Sequence, residues 1–147
     1  MDRIARSMLL LGGGMSVAMA LYHFFLPFQF HWGKFVEEIP GVIRWSLFSL
    51  NFFFSALLLV VGLLVLAAAW NLPRHQPLAL LIVGGAASFW LANFTYLLIF
   101  PFPVPPSMYA VKLGLESFAA ASFVLHGIPF GWLIATRPRP RDQVNAE

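Results

Sequence analysis

Lys112 and Glu116 stand four residues apart in an otherwise apolar stretch, so a helix puts them on one face. Ionisable groups inside a bilayer are costly and by default mark function. A carboxylate in hydrocarbon must find donors or take up a proton. Asn51, Asn93 and Tyr96 offer donors from two other apolar stretches, and His23 and Arg44 lie near the ends of theirs. A protonatable acid among amides suits proton transfer, or binding of a hydroxyl or amine headgroup. The candidate catalytic residues are therefore Glu116 and Lys112. The candidate ligand-binding residues are Asn51, Asn93, Tyr96, His23 and Arg44. Lys112 precedes Glu116, the weaker helical order for an ion pair, and its long stem can snorkel to the interface, so Glu116 carries the sharper expectation.

Other chemistries find little support. The chain has no cysteine, which excludes disulfides, thiolate metal sites and iron–sulfur clusters. His23, His31, Glu37 and Glu38 match no compact metal-ligand spacing. His23 and His126 fall near opposite bilayer faces and could not both ligate one haem. Gly12-Gly13-Gly14 lies inside an apolar run and reads as a packing feature, not a phosphate cradle. The sequence specifies no cofactor.

These side chains need elements to hold them. Of 147 residues, 60% are hydrophobic and 10% charged, far from the balance of a soluble domain. The expected fold is an all-α integral membrane protein. Four transmembrane helices, at about 4–26, 42–69, 78–100 and 108–136, would form an up-down bundle in one domain, 1–136. Ala18-Met19-Ala20 resembles a signal-peptidase site, but the apolar run continues past it to Leu26, long enough to span. Between Pro27 and Pro40, the residues Trp32, Phe35, Val36 and Ile39 recur with helical spacing, which predicts a short amphipathic helix at the interface. Small residues at Gly12, Ser16 and Ala20, and again at Gly84, Ser88 and Ala92, mark two faces for close helix approach. Ser107 is placed to cap the fourth span, and Pro129 should kink it near Leu125. Residues 137–147 read as a basic, disordered tail that touches anionic lipid.

Counting inward at about 1.5 Å per residue puts Asn51, Asn93 and Glu116 at roughly 10–13 Å depth from one side. His23, Tyr96 and Lys112 come at about 4–6 Å, with Arg44 above them. The polar groups thus gather in the outer half of the bundle, where Glu116 should meet Asn51 and Asn93. Arg3, Arg6, Arg74, Arg137, Arg139 and Arg141 share the other side and leave Lys34 and Arg44 opposite. That asymmetry predicts a bacterial-type inner membrane with both termini cytoplasmic, and explains the net charge without nucleic-acid binding.

Three functions fit. The first is an enzyme or binding protein whose outer pocket takes a lipid-like or small apolar ligand. Glu116 would be its acid/base or anchor, and Phe48, Phe52, Phe89 and Phe94 its apolar walls. The second is a non-catalytic accessory subunit of a larger membrane complex. The third is a homo-oligomeric transporter or channel, which the missing internal repeat and the apolar inner half disfavour. The same polar residues could also serve only as an interhelical clamp. The partners implied are the lipid bilayer, a lipid-like small molecule, and either further copies or membrane subunits.

Overall fold

The computed structural model describes residues 3–71, 76–101 and 105–136. These form four long helices, α1 (Arg3–Gln29), α3 (Gly41–Asn71), α4 (Gln76–Ile99) and α5 (Tyr109–Ala135). A single-turn helix, α2 (Trp32–Phe35), follows α1, and a 3-10 turn over Pro106–Met108 leads into α5. No strand occurs among the described residues. All four long helices are long and apolar enough to cross a membrane, and the architecture is that of an integral membrane bundle. At about 1.5 Å per residue they run roughly 36–46 Å, more than the hydrocarbon thickness. Such segments become helices because only a helix satisfies every backbone N–H and C=O within itself in lipid.

The helices pack in an up-down ring. α1 neighbours α3 and α5, α4 neighbours α3 and α5, and the α1/α4 and α3/α5 pairs lie on the diagonals. Small residues make up much of the core, beside Leu9, Leu58, Trp90, His126 and Leu133, while many other large apolar residues face outward. Ala5, Gly12, Gly13, Ser16 and Ala20 are buried on α1, with Ser55, Gly62, Ala68 and Ala69 on α3. Leu57, Leu63, Leu64, Leu81 and Ile128 are exposed. Lipid tails are as apolar as leucine, so burying leucine gains little there, and close van der Waals packing takes over.

The tightest seam joins α1 to α3. A Cβ on Gly62 would lie 2.9 Å from Val17 Cγ2 and 3.1 Å from the Gly13 carbonyl oxygen. A Cβ on Gly13 would lie 3.1 Å from the Gly62 carbonyl oxygen in return. The two backbones touch, and only glycine fits at both positions.

The local expectations fare differently from one another. α1 does not stop before Pro27 but runs through it to Gln29. The expected short helix follows it but is only one turn long; Trp32 packs on Phe48 and Val36 is buried, while Phe35 is 78% exposed. Gly12, Ser16 and Ala20 are all buried, as their spacing predicts. The second small-residue row is not, because Ser88 and Ala92 are exposed and α4 instead packs through Ala79, Val83, Ala86, Ala87 and Trp90. Ser107 lies within the 3-10 turn and caps nothing. α5 is continuous through Pro129, which is buried. The predicted tail, 137–147, and Arg74 lie outside the described residues.

Candidate functional site

The packed part of the bundle ends abruptly. Among the described residues, no helical position is buried beyond Ala20 on α1, before Ser55 on α3, beyond Trp90 on α4 or before Ala119 on α5. Roughly 13–21 Å of each helix, at the end that carries the α1–α3 connection, is therefore open. We call this the loop end and the opposite one the terminal end. Every candidate catalytic or ligand-binding residue named from the sequence lies at the loop end.

The floor of the open region is aromatic. Ala20, Leu58 and Trp90 form its buried centre, with Phe54, Phe89, Phe118 and Phe123 packed around them. The rings meet edge-on or tilted in a chain from His23 to Phe54, Phe89, Trp90 and Phe118, with centroids 5.0–6.0 Å apart. Beneath this floor is a polar layer. Trp90 Nε1 donates to Ser16 Oγ at 3.1 Å across the α1/α4 diagonal, and that hydroxyl donates to the Gly12 carbonyl at 3.1 Å. His126 is wholly buried, its Nδ1 2.6 Å from the Ser122 carbonyl oxygen. A carbonyl can only accept, so Nδ1 carries a proton. Nε2 of His126 and the Ser122 hydroxyl have no partner among the described residues. The ring lies against Gly12, where a Cβ would stand 2.8 Å from Cε1.

Asn51 owes its place to Pro27. Proline has no N–H, so the carbonyl one turn earlier, on His23, loses its helical donor. Asn51 Nδ2 donates to that carbonyl at 2.9 Å and supplies the missing bond from the neighbouring helix. The same side chain faces the His23 imidazole, whose ring packs on Phe54 at 5.0 Å. One turn along α3, Ser55 Oγ donates to the Asn51 carbonyl at 2.6 Å. Asn51 thus has a structural duty, and sequence spacing alone did not reveal its partner.

Beside this clamp, α1, α3 and the connection between them enclose a cleft of about 590 Å³. Phe24, Pro27 and Phe28 line it from α1, Phe48, Asn51 and Phe52 from α3, and His31, Gly33 and Lys34 from above. The chain folds back over the cleft at His31, which has a φ of 50°, in the left-handed region. Among non-glycine residues, histidine is one of the few enriched there. The Phe28 carbonyl accepts from His31 N–H at 3.2 Å, and the His31 carbonyl from Lys34 N–H at 2.9 Å, which fixes the reversal.

The expected meeting of Glu116 with Asn51 and Asn93 does not occur. α3 and α5 are diagonal partners that make no approach, and no hydrogen bond joins Glu116 to either amide. Glu116 instead pairs with Lys112, at 3.7 Å, with side chains 22% and 27% exposed. The sequence reading underrated this pair because helical order alone disfavours it. Both residues continue the inward stripe of Ala119, Ser122 and His126, and so line the open mouth on the α5 side. Tyr109 stacks under Lys112, 5.8 Å from ring centre to ammonium. Asn93 is half-buried, Tyr96 is exposed with its ring on Phe100, and Arg44 is exposed. His23 and Asn51 are thus brought together, Lys112 and Glu116 form a second group, and Asn93, Tyr96 and Arg44 join neither by contact.

The chain matches no family model, no curated protein and no solved structure. Function must therefore be argued from the site. Sequence reasoning missed the cleft residues Phe24, Pro27, Phe28, His31, Gly33 and Lys34 as a group. The signal that could have found them was Pro27 itself. A proline inside an apolar run frees a carbonyl that some donor must reach, and aromatic residues crowd both stretches around it. Of the expected walls, Phe48 and Phe52 line the cleft, while Phe89 belongs to the aromatic floor. No cluster of three or more His, Asp or Glu side chains among the described residues could hold a metal ion.

Proposed function

We propose that this protein binds a lipid-like amphiphile at the loop end of its bundle. The observation that carries the reading is the cleft of about 590 Å³ between α1 and α3. That volume lies in the range of small-molecule sites, and an apolar lining with a few placed polar groups is their usual make-up. Here four phenylalanines and Pro27 form the walls, and Asn51, His31 and Lys34 supply the polar points. Asn51 lies among the apolar walls, and His31 and Lys34 lie in the connection above them, which matches the two halves of an amphiphile entering from a leaflet. In this reading the anchor moves from Glu116 to the cleft, and Glu116 with Lys112 provides a second polar wall across the mouth. The loop end faces the outer leaflet, as the charge asymmetry predicts.

The test is binding by wild type and by the double variant Phe28→Ala/Phe52→Ala, both residues being exposed and so dispensable for folding. Intact-mass measurement on protein released from nanodiscs should find wild type with one retained lipid. The double variant should retain at least fivefold less at an unchanged melting temperature. Equal retention by both, or none by wild type, rejects the reading.

A further inference from the structure

Lys34 is the one charged residue that lines the cleft. It forms no salt bridge, since among the described residues the single ion pair is Lys112–Glu116. Two acids, Glu37 and Glu38, follow it at three and four residues, the spacing at which a helix would pair them. The helix ends at Phe35, so that pairing geometry is not built; both acids are exposed, form no ion pair and lie outside the lining. A second cation lies on α3, outside the lining. Arg44 is one turn before Phe48 and two before Asn51 on α3, so it continues the face that walls the cleft, and it too is exposed and unpaired. Neither α1 nor α3 brings an acid to this face, for neither helix contains one within its described span. The lining of the cleft therefore carries a cation and no acid, although one lysine against two glutamates gives residues 30–40 a net charge of −1.

We infer that the cleft takes an anionic lipid, its headgroup held between Lys34 and Arg44 and its chain laid along Phe24, Phe28, Phe48 and Phe52. This rests on the proposed function above and names its ligand class. An ammonium and a guanidinium give charge-assisted hydrogen bonds to a phosphate oxygen, and the His31 imidazole is placed to add another. A zwitterionic headgroup gains less, because its own cation would meet the same two positive groups.

The experiment uses nanodiscs of equal phosphatidylglycerol and phosphatidylcholine, with the lipid retained by the released protein identified by mass. Wild type should retain phosphatidylglycerol in preference. Each cation near a membrane surface is worth roughly fivefold in affinity for an anionic lipid, so Lys34→Gln and Arg44→Gln should each lower the preference by about that factor. Lys34→Arg should preserve it. Arg3→Gln and Arg6→Gln, at the terminal end, should leave it unchanged. Retention without headgroup preference overturns this inference but leaves the amphiphile reading intact. A preference that survives the double variant Lys34→Gln/Arg44→Gln also overturns it. No retained lipid at all removes both.

Discussion

At the terminal end of the bundle, glycines let helices touch and the interior is closed. At the loop end, no position on the same four helices is buried, although Asn51 still ties α3 to α1. The residues explain the difference. The closed half offers Gly13 against Gly62, Gly12 against His126, and Gly84 against Phe130, each a place where a missing Cβ is filled by a neighbour. The open half offers Phe24, Phe28, Phe48, Phe52 and Phe53, bulky rings of which none is buried. In lipid there is no aqueous penalty for leaving such rings exposed, so the bundle has no reason to close over them. Close packing is concentrated where side chains are small, and open space is left where they are large.

The comparison can be broken most severely at the glycine seam. Gly62→Leu sets a side chain against Val17 and the Gly13 backbone and should cost roughly 3 kcal/mol or more. Gly33→Leu, at the loop end, meets nothing within 4 Å and should change the melting temperature little. Similar losses from both would mean that the two halves are not packed differently.

A double-mutant cycle examines the boundary between them. Asn51→Ala should cost about 1–2 kcal/mol by stranding the His23 carbonyl. In a Pro27→Ala background the backbone N–H returns to that carbonyl, and the same change should cost at least about 1 kcal/mol less. Additive losses in thermal or denaturant unfolding would show that Asn51 does not compensate for the proline.

The diagonal bond is a smaller effect. Trp90→Phe keeps a ring in the aromatic floor but loses the donor to Ser16, and should destabilise by about 0.6–2 kcal/mol. In a Ser16→Ala background that loss should shrink to the packing difference alone. The smallest effect is expected at Lys112 and Glu116, where a cycle with Lys112→Gln and Glu116→Gln should give a coupling below roughly 1 kcal/mol. A coupling of several kcal/mol would mean that this side of the mouth is dry and closed.

Much of the fold was legible because each span's length and hydropathy force a helix whatever its neighbours do. Gly12, Ser16 and Ala20 were recognisable as a contact face for the same local reason. The Gly84, Ser88 and Ala92 row shows the limit, since small residues permit close approach but do not require it. The candidate site was legible only in its depth. Counting residues correctly placed His23, Asn51, Asn93, Lys112 and Glu116 at one end, but depth says nothing about which helices are adjacent.

The sequence by itself determined four membrane-length helices, their alternating direction and the gathering of polar residues at one end. These follow from hydrogen-bond satisfaction in lipid and from the rise per residue. Only the tertiary structure decided that α3 and α5 are diagonal, which separates Asn51 from Glu116. It alone gave Asn51 to the carbonyl freed by Pro27, Trp90 to Ser16, and Lys34 to a cleft beneath a left-handed turn at His31. Those outcomes depend on the order of helices around the ring, which is set by where backbones can touch, and no single helix carries that information.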